Sequence, residues 1–228
     1  MAAQRILSDE TTAATVRRTV RARRLSLRVS RLDGRVTLTL PHHTPLSEAL
    51  SFAEERLDWI QSARSGLDAE IAVGPGVALP IEGREVTVAE GTGRRVLREG
   101  PKLMVRGPHV GRTVKTYLKA LARDRLAQAS DTYAAAMGAR YNRLTLRDTR
   151  SRWGSCTSDG NLMYSWRLIM APPDVLDYVA AHEAAHLIHM DHSGDFWGLV
   201  AAHCPDWRRQ RDWLRSQGPG LHRYRFDD

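Results

Sequence analysis

The chain has 228 residues, 42% of them hydrophobic, and a formal net charge of +8, which is enough to bury one large core or two small ones. No apolar run approaches membrane-spanning length, Met1 to Arg24 has no apolar stretch of the kind found in a secretory signal, and two cysteines, Cys156 and Cys204, are too few for a disulfide framework. The expectation is a cytoplasmic globular protein with no membrane partner. Its positive charge admits nucleic acid as a partner and equally fits a plainly arginine-rich surface.

Residues 1–14 are small and polar and read as a loose tail. Arginines then crowd the chain at Arg17, Arg18, Arg21, Arg23 and Arg24. Leu25 to Val29 and Val36 to Leu40 alternate apolar with polar around Asp33-Gly34, which predicts a hairpin. Its outward arginines suit phosphate contacts, although charges on edge strands also discourage strand-to-strand aggregation. Past Pro41 a single helix is expected, capped near Thr44 or Ser47, with Leu46, Leu50, Ala53, Leu57 and Ile60 on one stripe and Trp59 packed. After a break from Gly66 to Gly76 come Val77 to Ile81, Glu85 to Ala89, Arg95 to Arg98 and Leu103 to Val105. Turns at Glu82-Gly83 and Glu99-Gly100 between them predict a small antiparallel meander.

Beyond Pro108, Val110 to Met137 reads as a long helix stopped by Gly138. Leu144 to Arg147 is a short strand. Ser151 to Cys156 and Asn161 to Trp166 form a hairpin about Ser158-Asp159-Gly160. A helix follows from Pro173 to Met190, opened by Pro172-Pro173, with Asp174 and Asp177 near its positive end. Helices from Phe196 to His203 and from Trp207 to Gln217 precede a short polar tail from Gly218. Trp153, Trp166, Trp197, Trp207 and Trp213 are expected to build the core around the Pro173 helix, with Cys156 and Cys204 as small packed residues.

That helix carries His182-Glu183-x-x-His186. Four residues turn about 400° on a helix, so the two imidazoles stand one above the other, roughly 6 Å apart, and Glu183 projects about 100° away. Two His ligands with a carboxylate beside them is the layout of a zinc hydrolase. A third ligand is needed. His189, on a continued helix, would lie about 10 Å from His182 along the axis, too far to share an ion. His192 lies past the helix end, where a turn through Asp191 brings it back against His186, and Ser193 and Asp195 then open the next helix. His192 is therefore the expected third ligand, leaving one position for water.

Several further motifs accompany this one: Arg152-Trp-Gly-Ser-Cys156, Trp166-Arg-Leu168, Ala171-Pro-Pro173, His192-Ser-x-x-Phe-Trp197 and Cys204-Pro-Asp-Trp207, with Arg23-Arg-Leu-Ser-Leu-Arg28 and Gly34-Arg-Val36 upstream. With these the sequence resembles the YgjP-like metallopeptidase family, relatives of the zincins and of the SprT-like proteases, from about residue 15 to 216. The resemblance implies an α+β zincin-like fold: a small antiparallel or mixed sheet, an HExxH active-site helix and backing helices, preceded by a β-rich N-terminal half. It implies tails at 1–14 and 218–228, a β-rich part at 15–107 and a catalytic core at 108–217. One catalytic zinc ion would be held by His182, His186 and His192, with Glu183 as general base and a peptide or protein as substrate. One strand of the 151–166 hairpin would pair with the substrate backbone. Tyr164, Arg167 and His203 are candidates to stabilise the oxyanion. The metzincins carry glycine where this chain has His189, so the turn to His192 cannot rely on glycine's freedom at that point. A protease acting on DNA-bound proteins, as SprT-like relatives do, or a DNA-binding protein with a zinc-stabilised fold, is the alternative suggested by the net charge and the N-terminal arginines.

Overall fold

A computed structural model describes residues 3–6, 13–30, 34–65, 69–93 and 96–227. The chain divides into two compact units, residues 1–69 and 70–228. Among the described residues no helix is long and apolar enough to cross a membrane. The protein is α+β, with six α-helices and small mixed sheets among those residues.

The first unit contains β1 (Ala3–Ile6), β2 (Ala13–Thr19), β3 (Ser26–Val29) and β4 (Val36–Pro41), ordered β1-β2-β4-β3. β3 and β4 form the antiparallel hairpin that the alternation predicts, with Leu27 opposite Leu38; the turn residue Asp33 lies outside the described residues. β2 runs parallel to β4 and β1 antiparallel to β2, so Ala3–Ile6 is a strand where a loose tail was expected. Val36, Leu38 and Leu40 point into a core closed by Ala49, Ala53 and Ile60.

The expected single helix is two, α1 (Leu46–Glu54) and α2 (Leu57–Ser65). The reason lies in Arg56. Its guanidinium lies over the Phe52 ring and bonds the Phe52 carbonyl at 3.0 Å. A continuous helix would give that carbonyl to the Arg56 amide, which bonds Ala53 instead. Pro45 is the N-cap and makes no side-chain cap, in place of the cap expected at Thr44 or Ser47. Trp59, expected to pack, is 51% exposed.

The second unit opens with β5 (Ile71–Ala72), followed by β6 (Ala78–Ile81), β7 (Arg84–Glu90), β8 (Leu97–Glu99) and β9 (Lys102–Val105). Their order is β6-β7-β9-β8, and β7 pairs with β9 in parallel. This corrects the expected meander: after β7 the chain crosses to the far edge, and β9 returns between β7 and β8. The β6–β7 turn puts Glu82 at φ 52°. Its amide bonds Ile169 O at 2.7 Å, and Arg98 and Arg125 hold its carboxylate. A Cβ on the neighbouring Gly83 would stand 2.9 Å from Pro172 Cα, so only glycine lets this turn dock against Pro172.

The long helix α3 (Val110–Ala136) matches its expectation and backs the centre of the unit. β10 (Arg143–Arg147), β11 (Gly154–Cys156) and β12 (Asn161–Ser165) form a sheet of order β10-β12-β11, with the β11–β12 hairpin antiparallel and β10 parallel to β12. A 3₁₀ turn, Trp166–Met170, with all five residues buried, leads into α4 (Pro173–Ala185). α5 (Gly194–His203) and α6 (Trp207–Ser216) pack on α4.

The segment from Gly218, expected as a polar tail, is folded. A 3₁₀ turn at Gly218–His222 leads to β13 (Tyr224–Arg225), which pairs with β5. Leu221 and Phe226 are buried. Arg167 holds this segment: it reaches Asp148 at 2.7 and 3.3 Å and donates to Leu221 O at 2.9 Å and Tyr224 O at 3.2 Å.

Candidate metal centre

α4 ends at Ala185, one turn short of the expected Met190. His186 is the C-cap, and the next amides bond three residues back, Leu187 to Ala184 and Ile188 to Ala185, which tightens and reverses the chain. The His189 carbonyl is drawn in to accept a hydrogen bond from His186 Nδ1 at 2.9 Å. The turn needs no glycine at 189, and the chain comes back through Asp191, whose carboxylate accepts from the Ser193 amide at 3.2 Å. Ser193 then caps α5 through Phe196 N.

The result brings His182, His186 and His192 together, with one ring nitrogen from each within 4.8 Å of the others. The rings of His182 and His186 are 4.9 Å apart, those of His182 and His192 5.1 Å, and those of His186 and His192 4.7 Å. Phe196 makes a common floor, stacked on His186 at 4.4 Å and edge-on to His182 and His192 at 4.9 and 4.8 Å. Phe196 is the third residue of α5, in its first turn.

The donor chemistry fits a cation. His182 Nε2 and His192 Nε2 face each other at 3.2 Å, close to the roughly 3.3 Å edge of a tetrahedron whose metal–nitrogen bonds are about 2.0–2.1 Å. A carbonyl only accepts, so His186 Nδ1 carries the proton and Nε2 keeps its lone pair for an ion. Burial, reinforced by the other two imidazoles and Arg211, pushes His182 down to about 3, and burial lowers His186 as well. Both are therefore neutral, as ligands must be. His182 Nδ1 and Glu183 Oε2 are buried with no hydrogen-bond partner among the described residues.

Glu183 lies on the buried side of α4 beside β11. A Cβ on Gly154 would stand 2.7 Å from Glu183 Cγ and 2.8 Å from Cδ, so the bare backbone of that strand is the wall on which the carboxylate rests. Burial raises its pKa to about 8, with Arg152 pulling the other way. Gly154 and Arg152 are thus neighbours of the carboxylate that reading the sequence did not single out: Gly154 acts by lacking a side chain, and Arg152 carried the cation signal only as part of a longer motif.

Of the remaining candidates, Tyr164 pairs with Gly154 across the β11–β12 hairpin, near enough for Glu183 to act on it. Tyr164 is fully buried and shares a hydrogen bond with Ser130 at 3.0 Å, and burial drives its hydroxyl far up. Arg167 is committed to Asp148 and the C-terminal segment. No ring contact joins His203 to the three imidazoles among the described residues. The Cys156 thiol, pushed up to about 11 by burial and then by Glu183, stays protonated, and Cys204 is raised in the same way.

Neither the curated proteins nor the solved structures provide a match to this chain. The family described as YgjP-like, metallopeptidase domain, matches residues 23–217, a span that includes every residue of the triad. The chain belongs to the YgjP-like metallopeptidase family.

Proposed function

We propose that this metallopeptidase is a zinc-dependent enzyme of zincin type, in which His182, His186 and His192 hold one ion and Glu183 is the general base. The observation that carries the reading is the convergence of three imidazoles, one ring nitrogen of each within 4.8 Å of the others, with a buried carboxylate that has an unpartnered oxygen on the same helix. When bound, zinc lowers the pKa of a water to about 7 and polarises a substrate carbonyl.

The chain's own residues supply the rest. The His189 carbonyl fixes the tautomer of His186. Glu183, buried with one oxygen unpartnered, takes the proton of the attacking water and passes it to the leaving amine. The β11 backbone behind Gly154 keeps the carboxylate from swinging away. β11 is also the edge of its sheet, and an extended peptide adds to such an edge by backbone pairing. Arg152, an exposed cation whose charge reaches Glu183, is freer to meet developing negative charge than Tyr164 or Arg167, whose polar atoms are already engaged.

Nucleic-acid association rests on the +8 charge and the arginines of the first unit, and no feature of the site adds to it. The test is Glu183→Gln. Hydrolysis of a peptide library falls by about 10²–10⁴-fold while one zinc per chain is retained; an unchanged rate refutes the assignment.

A further inference from the structure

One flank of the triad is a cationic aromatic platform that the reaction described above does not use. The Trp197 ring lies 5.6 Å from that of His182 and 5.7 Å from that of His192. Trp207 stacks on Trp197 at 4.2 Å with the planes 19° apart. The Arg211 guanidinium stands 5.2 Å from the Trp197 ring and 5.9 Å from that of Trp207, and Arg208 covers Trp207 at 4.5 Å. Trp207 and Arg211 are four apart on α6, so they share one face of it. Arg211 is therefore two ring contacts from the triad.

Arg211 is exposed and pairs with no carboxylate among the described residues; the nearest acid along α6, Asp212, lies with Arg215 at 4.0 Å. The guanidinium stands beside the stacked pair, within cation–π reach of both rings. It loses less freedom than a bare lysine on binding, and its fork matches the two oxygens of a carboxylate. A peptide advances about 3.3–3.6 Å per residue, so a chain whose scissile carbonyl lies at the triad brings a group within three residues of that bond to the platform.

We propose that Arg211, held beside the stacked Trp197 and Trp207, is a specificity-determining residue that binds a carboxylate of the substrate, either an acidic side chain or a free C-terminus, within three residues of the scissile bond. The inference rests on the peptidase reading and adds the substrate class: acidic or chain-terminal peptides over neutral ones. The side chain grips the substrate and takes no part in bond breaking.

Binding tests this without turnover. Zinc-loaded Glu183→Gln protein is titrated with matched peptides carrying Glu or Gln at each of three positions on either side of the cleavage site, with free or amidated C-termini. The Glu peptide, or the free-acid peptide, binds about three- to tenfold tighter than its neutral twin, and the responding arm identifies the source of the carboxylate. Adding Arg211→Gln brings the ratio to one with zinc content held at one per chain, and Arg211→Lys keeps part of it. Equal affinities throughout, a ratio that survives Arg211→Gln, or no binding of any acidic peptide overturns the proposal. Charge-dependent binding with no hydrolysis by the intact protein would instead strike the peptidase reading and leave this one standing.

Discussion

Gly154→Ala is the sharpest probe of how the carboxylate is held. The added methyl would stand 2.7 Å from Glu183 Cγ and 2.8 Å from Cδ, about 1 Å inside ordinary carbon–carbon contact. The backbone at 154 is not in the left-handed region, so alanine is not strained by its own geometry, and the whole effect falls on Glu183. Overpacking of this kind costs about 1–3 kcal/mol of stability. Glu183 has no slack to absorb the push, because it is 5% exposed on a helix docked against the strand. The carboxylate must retreat by about 1 Å, a displacement that is able to cost 10²-fold in rate. We expect kcat to fall by about 10²-fold while zinc affinity stays within about twofold, since no imidazole rests on Gly154. The assay is steady-state hydrolysis of a fluorogenic peptide alongside zinc titration against a competing chelator. A wild-type kcat in a folded, zinc-loaded Gly154→Ala protein would refute the claim that the strand backbone positions the base.

Two further outcomes follow from the C-terminal segment. Arg167→Gln removes the fork on Asp148 and the donors to Leu221 O and Tyr224 O. With Asp148 37% exposed, the loss is about 2–3 kcal/mol, and hydrogen exchange of residues 218–227 accelerates while zinc content holds; unchanged exchange would show that Arg167 does not hold the segment. His222 is pushed down to about 4 by burial, then by Arg167 and Arg150, against the opposing pull of Asp148. Between about 4 and 6.5 the unfolded chain binds a proton that the folded chain does not, so stability is full above that window and declines as pH falls through it. His222→Phe keeps a ring against Trp153, 5.4 Å away, and flattens the decline of Tm over that window. An identical slope in the variant would contradict the assignment.

Much of the second unit was legible because its signals are local. The helical spacing of His182, Glu183 and His186, the Ser193 cap and the hairpin around Asp159-Gly160 each depend on a few neighbouring residues, and the structure carries all three. The early end of α4 was not legible, because it turns on the His189 backbone carbonyl, which no side-chain pattern encodes. The break between α1 and α2 likewise depends on Arg56 folding back onto Phe52 O. The parallel β7–β9 pairing joins strands whose individual patterns suit either direction. Leu221, Tyr224 and Phe226 are spaced by three and then two residues, with no single period, and Gly218, Gly220 and the surrounding charge made the segment read as a tail. Gly154 shows the limit most plainly: its contribution is the space it leaves, and only the approach of α4 gives that space a meaning.

The central claim is one ion held by three imidazoles with a position open to solvent. X-ray absorption at the zinc edge of the zinc-loaded protein tests it directly. The account predicts three imidazole nitrogens at about 2.0–2.1 Å, one further oxygen and no sulfur, with one imidazole lost in His192→Ala. A sulfur shell at about 2.3 Å, or a fourth imidazole closing the site, would contradict it.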